Sequence, residues 1–124
     1  MASAHRQLLQ SDSNRVLVAQ LETADTLWKQ TLGLLGRDGL PPEGGLWLEP
    51  CNGIHTFGMR FPIDVLFLDA EGCVLRIVSA LPPWRICGLV RKARAVVELP
   101  AGTLERKQVR LGERLHLSPP PRSS

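Results

Sequence analysis

Histidine, methionine and aspartate side chains interrupt the apolar stretch 54–68 and are the first candidates for chemistry. They are His55, Met59 and Asp64. His55 and Asp64 could act as a general acid–base pair, for example on a carbohydrate or an ester-like substrate, if they lie within hydrogen-bond reach of each other. The alternative for His55 is structural, a hydrogen-bonded histidine in the core or at a sheet edge.

The position of Asp64 within an apolar strand predicts that its carboxylate is at least partly buried. In an extended strand Asp64 shares one face with Leu66 and Leu68, and the other face is equally apolar. An unpaired buried carboxylate is costly, so Asp64 should be hydrogen-bonded, ion-paired or protonated. The structural alternative is a carboxylate that accepts hydrogen bonds from backbone N–H groups in the turn after Pro62. Its possible side-chain partners are His55, Arg60, Arg76 and Arg85.

The spacing Cys51-x3-His55-x3-Met59 resembles a soft-metal ligand set, because thiolate, imidazole and thioether suit copper(I). Residues four apart on a strand lie ~13 Å apart, whereas ligands must approach one ion to within ~2.0–2.3 Å. We therefore expect no metal and no other cofactor. Cys51 could also be a nucleophile with His55 and Asp64, but no helix N-terminus or nucleophile elbow marks it as activated.

An aromatic residue next to a cation, Trp84-Arg85, follows two prolines in a predicted loop. Such a pair can stack on a base or sugar, or bind a carboxylate. Arg91, Lys92 and Arg94 come soon after, so the region is a candidate nucleic-acid interface. The net charge of +3 is far below the basic excess of a dedicated nucleic-acid binder. The alternative is that Trp84 caps the open end of the core and the cations are solvated.

Short apolar segments bounded by turn residues predict the elements that must position these side chains. A helix is predicted at 26–34, a hairpin turn at 69–72 and a helical turn near 103–107. Strands are predicted at 16–21, 46–48, 54–59, 63–68, 73–81, 93–99 and 112–117. This pattern predicts a mainly β fold, a small antiparallel jelly-roll-like sandwich or barrel with one packed helix.

The length of 124 residues predicts one domain. We place it at residues 15–117, between a flexible N-terminal segment, 1–14, and a disordered Pro/Ser tail, 118–124. No apolar run could span a membrane, and the N-terminus lacks the apolar centre of a signal peptide. The three cysteines match no zinc signature and fit a reducing compartment, so a cytoplasmic location is expected.

Six short motifs follow one another along the chain: Gly33-Leu-Leu-Gly-Arg37, Gly44-Gly-Leu-Trp47, His55-Thr-Phe-Gly-Met-Arg60, Pro62-Ile-Asp-Val-Leu-Phe67, Asp69-Ala-Glu-Gly72 and Val97-Glu-Leu-Pro-Ala-Gly102. Together they resemble a bacterial and archaeal family, domain of unknown function 192. The resemblance covers roughly residues 16–117, and its most specific part is the Met-Arg and Pro-Ile-Asp element. It implies a small β-rich, jelly-roll-like sandwich carrying a helix, and it implies no particular activity.

These patterns favour a binding or accessory module that holds a small polar ligand or a protein partner, as a monomer or a weak dimer. The alternatives are an enzyme that uses Asp64 and His55, and a nucleic-acid binder that uses the Trp84 to Arg94 region. We expect the binding residues to converge at one place in the fold: His55, Met59, Asp64, Trp84 and Arg85.

Overall fold

Strands dominate the computed structural model, which describes residues 6–24 and 39–119. Within these residues the helix α1 spans Thr103–Arg106, and the predicted helix at 26–34 lies outside them. The mainly β prediction is confirmed. The strands are β1 (Arg6–Gln10), β2 (Val16–Ala24), β3 (Gly44–Leu48), β4 (Gly53–His55), β5 (Ile63–Leu68), β6 (Val74–Leu81), β7 (Ile86–Gly88), β8 (Ala95–Pro100) and β9 (Leu115–Leu117).

Seven of these strands form one mixed sheet in the order β6-β5-β8-β3-β2-β1-β9, and β4 and β7 form a separate ribbon. The pairs of the large sheet are antiparallel except for β2 and β3, which run parallel from Gln20↔Gly44 to Ala24↔Leu48. The expected all-antiparallel arrangement is therefore wrong at this pair. β3 begins opposite Gln20, in the middle of β2, and its parallel direction rules out a hairpin between the two strands.

The two edge strands of the large sheet, β6 and β9, meet at one end. Cys73 and Arg114 form an antiparallel bridge, and the Val74 N–H donates to the Glu113 carbonyl at 2.8 Å. A Cβ at Gly72 would lie 2.1 Å from the Leu115 carbonyl oxygen, so only glycine permits this approach. The sheet therefore curls and is partly closed, with one apolar cluster inside the curl.

The expected flexible segment 1–14 is wrong for residues 6–10, which form β1 between β2 and β9. Leu8 is fully buried in the cluster inside the curl, the inner cluster. One fully buried side chain is enough to anchor a strand whose other residues are mostly polar, because the backbone of β1 pairs on both sides. A local reading of the composition does not reveal such pairing.

A second cluster, the outer cluster, covers the opposite face of the central strands. All six residues of β5 are buried because its alternate side chains enter different clusters. Leu66 and Leu68 enter the inner cluster, and Ile63, Val65 and Phe67 enter the outer one. The ribbon of β4 and β7 packs on the outer cluster through Ile54 and Cys87. The fold thus holds the ribbon by one face only.

No helix among the described residues is long and apolar enough to cross a membrane.

Candidate functional site

The ribbon presents one face to the core and the other to solvent. Ile54 pairs with Cys87, and both side chains pack against the outer cluster. His55 pairs with Ile86, and by strand alternation both project outward. The predicted strand 54–59 is therefore wrong beyond His55, because the chain turns at residues 57–58. The prediction of a loop after Pro83 is also wrong in part, because that segment contains the strand β7.

Thr56, which is fully buried, ties the chain after β4 to the chain before β7. Its Oγ donates a 2.7 Å hydrogen bond to the Pro82 carbonyl and accepts one from the Arg85 N–H at 2.9 Å. Its carbonyl accepts a 3.0 Å hydrogen bond from the Trp84 N–H. These bonds hold Trp84 in a left-handed conformation, φ 64°, which non-glycine residues adopt only when their surroundings require it. They place the Trp84 ring beside the ribbon.

Three rings follow one another along the outer face. The centroids of His55 and Phe57 are 5.1 Å apart, and those of Phe57 and Trp84 are 6.0 Å apart with a 27° interplanar angle. His55 Nδ1 accepts a 3.3 Å hydrogen bond from the Phe57 N–H. The predicted convergence is therefore met only in part: His55 and Trp84 lie together, with Phe57 between them, whereas Met59 and Asp64 are buried. Arg85, adjacent to Trp84, is also exposed.

Large apolar side chains on this face are solvent-exposed: Phe57 by 41%, Trp84 by 65%, Ile86 by 74% and Leu89 by 83%. We call these four residues the apolar quartet. Contiguous exposed apolar surface of this kind marks interaction sites on soluble domains. Sequence reasoning identified Trp84 and missed the other three members, because their exposure depends on which face of the ribbon is covered.

An open pocket of about 470 Å³ lies along the ribbon. A Cβ at Gly88 would lie 2.3 Å from the Gly53 Cα, and Gly88 has a φ of +152°, so a side chain there is excluded. These two glycines pair at the end of the ribbon opposite His55 and Ile86, and neither carries a side chain that could fill the pocket there. The lining residues are Asn52, Gly53, Ile54, His55, Phe57, Ile86, Cys87, Gly88 and Leu89.

The two segments that line the pocket contain positively charged residues and no negatively charged ones. Segments 51–63 and 82–94 carry five of the fifteen Lys and Arg residues and none of the twelve Asp and Glu residues. Of these cations, Arg94 pairs with Glu49 at 3.3 Å, which leaves its charge partly compensated. Arg85, Arg91 and Lys92 are exposed. The segments that supply the apolar face therefore carry exposed positive charge and no acidic residue.

Asp64 lies away from this surface, and its carboxylate accepts hydrogen bonds from the backbone. It is 1% exposed, and its two oxygens accept hydrogen bonds from the Ala80 N–H at 2.8 Å and the Leu104 N–H at 2.9 Å. The predicted burial is confirmed. The two donors lie in β6 and α1, and neither is His55 or an arginine or belongs to the turn after Pro62. Asp64 therefore joins two elements across the sheet.

Met59 and Cys51 also point to structural roles. Met59 is buried in the outer cluster, in the turn after β4. The Cys51 thiol donates to the Gly53 carbonyl at 3.1 Å. Burial is the main cause that raises the pKa of Cys51, and the charge of Glu98 raises it further, which favours the protonated thiol. The described residues include no group of three or more His, Cys, Asp or Glu side chains placed to hold a metal ion.

Glu98 is a buried carboxyl group that sequence reasoning passed over within the Val97-Glu-Leu-Pro motif. It is 6% exposed on β8, opposite Leu46 on one side and Val65 on the other. Burial raises its pKa from 4.5 to about 7. The sequence signal was a charged residue at a strand position that shares a face with Val96, which lies in the outer cluster.

Comparison with known proteins identifies the family. The DUF192 family, described as "Uncharacterized ACR", matches residues 8–117. A UPF0127 protein of Pyrococcus abyssi is 33% identical over 77% of this chain and 84% of its own length, and one of Thermococcus sibiricus is 27% identical over 87% and 72%.

Two crystal structures are also similar. One is of a Sinorhizobium meliloti protein described as a candidate transcription regulator (TM-score 0.78, 25% identity, 94% of each chain covered). The other, of a protein of unknown function from Novosphingobium aromaticivorans, has a TM-score of 0.77 at 20% identity, covers 90% of this chain and 83% of that one, and supports the fold alone. The resemblance seen in the motifs is confirmed, and the chain belongs to the DUF192 family.

Proposed function

We propose that this protein is a non-catalytic binding module that receives an acidic, apolar segment of a partner protein on the outer face of the ribbon. The observation that carries the proposal is the apolar quartet, exposed beside an open pocket. Burial of such side chains by a partner is the main favourable term in protein association. In the folded chain by itself these four side chains stay exposed, so their burial can contribute free energy only when a partner covers them.

The side chains with catalytic potential support binding over catalysis. Both oxygens of Asp64 accept hydrogen bonds from the backbone inside the protein, and Asp64 is out of contact with solvent. His55 Nδ1 accepts from a neighbouring backbone amide, and the Cys51 thiol is held in its protonated form. General acid–base or nucleophilic chemistry requires such groups to face a common reacting atom.

The positive charge of the segments around the pocket favours a partner that carries acidic side chains. The segments that border the pocket carry cations and no acidic residue, so acidic side chains on the partner would be favoured. Ile86 and Leu89 offer only aliphatic surface, which suits apolar side chains of a peptide better than a small polar ligand. Nucleic acid is the competing partner, since Trp84 and Phe57 could stack on bases, and the similar Sinorhizobium meliloti protein is described as a candidate transcription regulator.

The test is an amide-resolved NMR titration with a short synthetic peptide in which Leu and Phe alternate with Asp and Thr. Shifts confined to residues 52–58 and 84–90 are expected, and a peptide with Lys in place of Asp should bind at least about tenfold more weakly. Trp84→Ala should weaken binding by about tenfold or more. The matched control is Leu111→Ala, because Leu111 is also 65% exposed and lies in a turn near the C-terminus.

Two outcomes would reject the proposal. One is the absence of saturable shifts with the acidic peptide while a single-stranded oligonucleotide binds the same face with a steep salt dependence. The other is equal loss of peptide affinity in the Leu111→Ala and Trp84→Ala variants, which would indicate nonspecific apolar adsorption.

A further inference from the structure

We propose that the partner segment binds as an extended strand that pairs with the free edge of β7. This inference rests on the proposed function, because it specifies how the same surface holds its partner. Addition of a strand gives affinity through main-chain hydrogen bonds and specificity through alternate side chains.

The pairing of β4 and β7 determines which backbone groups of β7 point outward. The Thr56 N–H donates to the Arg85 carbonyl at 2.8 Å, so Thr56 and Arg85 are a hydrogen-bonded pair. In an antiparallel ladder such pairs alternate with pairs that exchange no hydrogen bonds. His55 and Ile86 are the adjacent pair in this register. The N–H and C=O groups of Ile86 therefore point away from β4, and those of Gly88 do so by the same alternation.

The edge of β7 is more accessible than the edge of β4. Ile86 and Gly88 are exposed, and the small sheet contains no further strand among the described residues. On β4 the Gly53 carbonyl accepts the hydrogen bond of the Cys51 thiol, and Gly53 is half-buried. Strand β7 lacks a proline and a charged side chain within its three residues, the usual protections of an edge.

Side-chain placement on an added strand fits the surroundings of β7. Alternate side chains of the added strand would lie on the outer face beside Ile86 and Trp84, where they would cover exposed apolar surface. Acidic side chains at the remaining positions would be attracted by the exposed cations of the same segment, Arg85, Arg91 and Lys92. A second copy of this chain is the poorer occupant. Pairing of two β7 edges would bring together two segments that each carry cations and no acidic residue.

The test uses the acidic alternating peptide in two N-methylated forms. One form is methylated at the apolar positions and the other at the acidic and Thr positions. For either direction of the added strand, the alternating pattern leaves only one of the two sets of amides facing the edge of β7. One form should lose at least about tenfold in affinity through lost main-chain hydrogen bonds, and the other should bind within about twofold of the unmodified peptide.

Substitution of the protein supplies a second readout. Ile86→Pro removes the outward N–H while it leaves the hydrogen bonds between β4 and β7 in place, and the control is Ile86→Val. The proline variant should bind the unmodified peptide at least about tenfold more weakly than the valine variant. If the proline variant does not fold, the two methylated peptides still decide the question.

Failure of this inference is distinguishable from failure of the proposed function. If both methylated peptides bind like the unmodified one and Trp84→Ala still weakens binding, strand addition is wrong and side-chain docking on the same face stands. If the unmodified peptide does not bind, both proposals are overturned.

Discussion

The replacement of Glu98 by glutamine tests the electrostatics of the core most directly. The Glu98 carboxyl is 6% exposed between the central strands β3 and β5, and burial raises its pKa to about 7. The unfolded chain binds this proton with the ordinary pKa of 4.5. Between these two values the folded state therefore carries a proton that the unfolded state has released.

The sign and size of the effect follow from proton linkage. Because the folded pKa is raised, the stabilising contribution of the protonated carboxyl is complete below about pH 4.5 and is lost as the pH rises to about 7. A shift from 4.5 to about 7 corresponds to about 3 kcal/mol, since each pH unit contributes about 1.4 kcal/mol. Above about pH 7 the loss levels off, because both states are then ionised at this position.

Urea unfolding of the wild type and Glu98→Gln across this pH range provides the assay. The difference in unfolding free energy between the variant and the wild type should rise by about 3 kcal/mol in favour of the variant as the pH increases. The control is Glu105→Gln, because Glu105 is exposed on α1. Stability curves for Glu98→Gln and the wild type that run parallel across this range would refute the reasoning.

Three further predictions concern residues that support the fold and the site. Asp64→Ala should lower the free energy of unfolding by about 3 kcal/mol, because two backbone amides lose their acceptor, and Asp64→Asn should lower it less. Chemical unfolding measures both variants, and a loss below about 1 kcal/mol in Asp64→Ala would contradict the role assigned to the carboxylate. Gly88→Ala should destabilise the ribbon by about 2 kcal/mol more than Gly102→Ala, because both glycines have positive φ but only a side chain at Gly88 would clash with Gly53. Hydrogen exchange of the β4 amides measures the difference, and equal protection in the two variants would contradict the prediction. Cys51 should react with iodoacetamide more slowly than a free cysteine at neutral pH, because its pKa is raised. Peptide mass spectrometry measures the rate, and a faster reaction would make Cys51 a candidate nucleophile again.

Local periodicity predicted the elements whose two faces are both apolar. In β5 the alternation of large side chains fixed the strand, the burial of both faces and the burial of Asp64. The same reasoning failed for β1 and β7, where polar residues or glycines obscure the pattern. These two strands form because their backbones pair with segments distant in sequence, and β-structure depends on such context more than on intrinsic propensity.

Only part of the candidate site was predictable from the sequence, because the exposure of Phe57, Ile86 and Leu89 was missed. His55 and Trp84 were singled out as chemically unusual, but their proximity depends on Thr56, whose hydroxyl bonds to the Pro82 carbonyl. A buried threonine that links two loops has no local sequence signature. Asp64 was grouped with the site because of its type alone, yet its carboxylate is directed to two backbone amides elsewhere in the fold.

The stability of the fold does not account for the hydrophobic residues on the ribbon. A ribbon of two three-residue strands is not stable alone, so Ile54 and Cys87 must anchor it to the outer cluster. Ile86 and Leu89 remain 74% and 83% exposed, and side chains that stay in water contribute little to folding. The inward residues of the ribbon are thus explained by the core, whereas its outward residues acquire a physical role only when another molecule covers them.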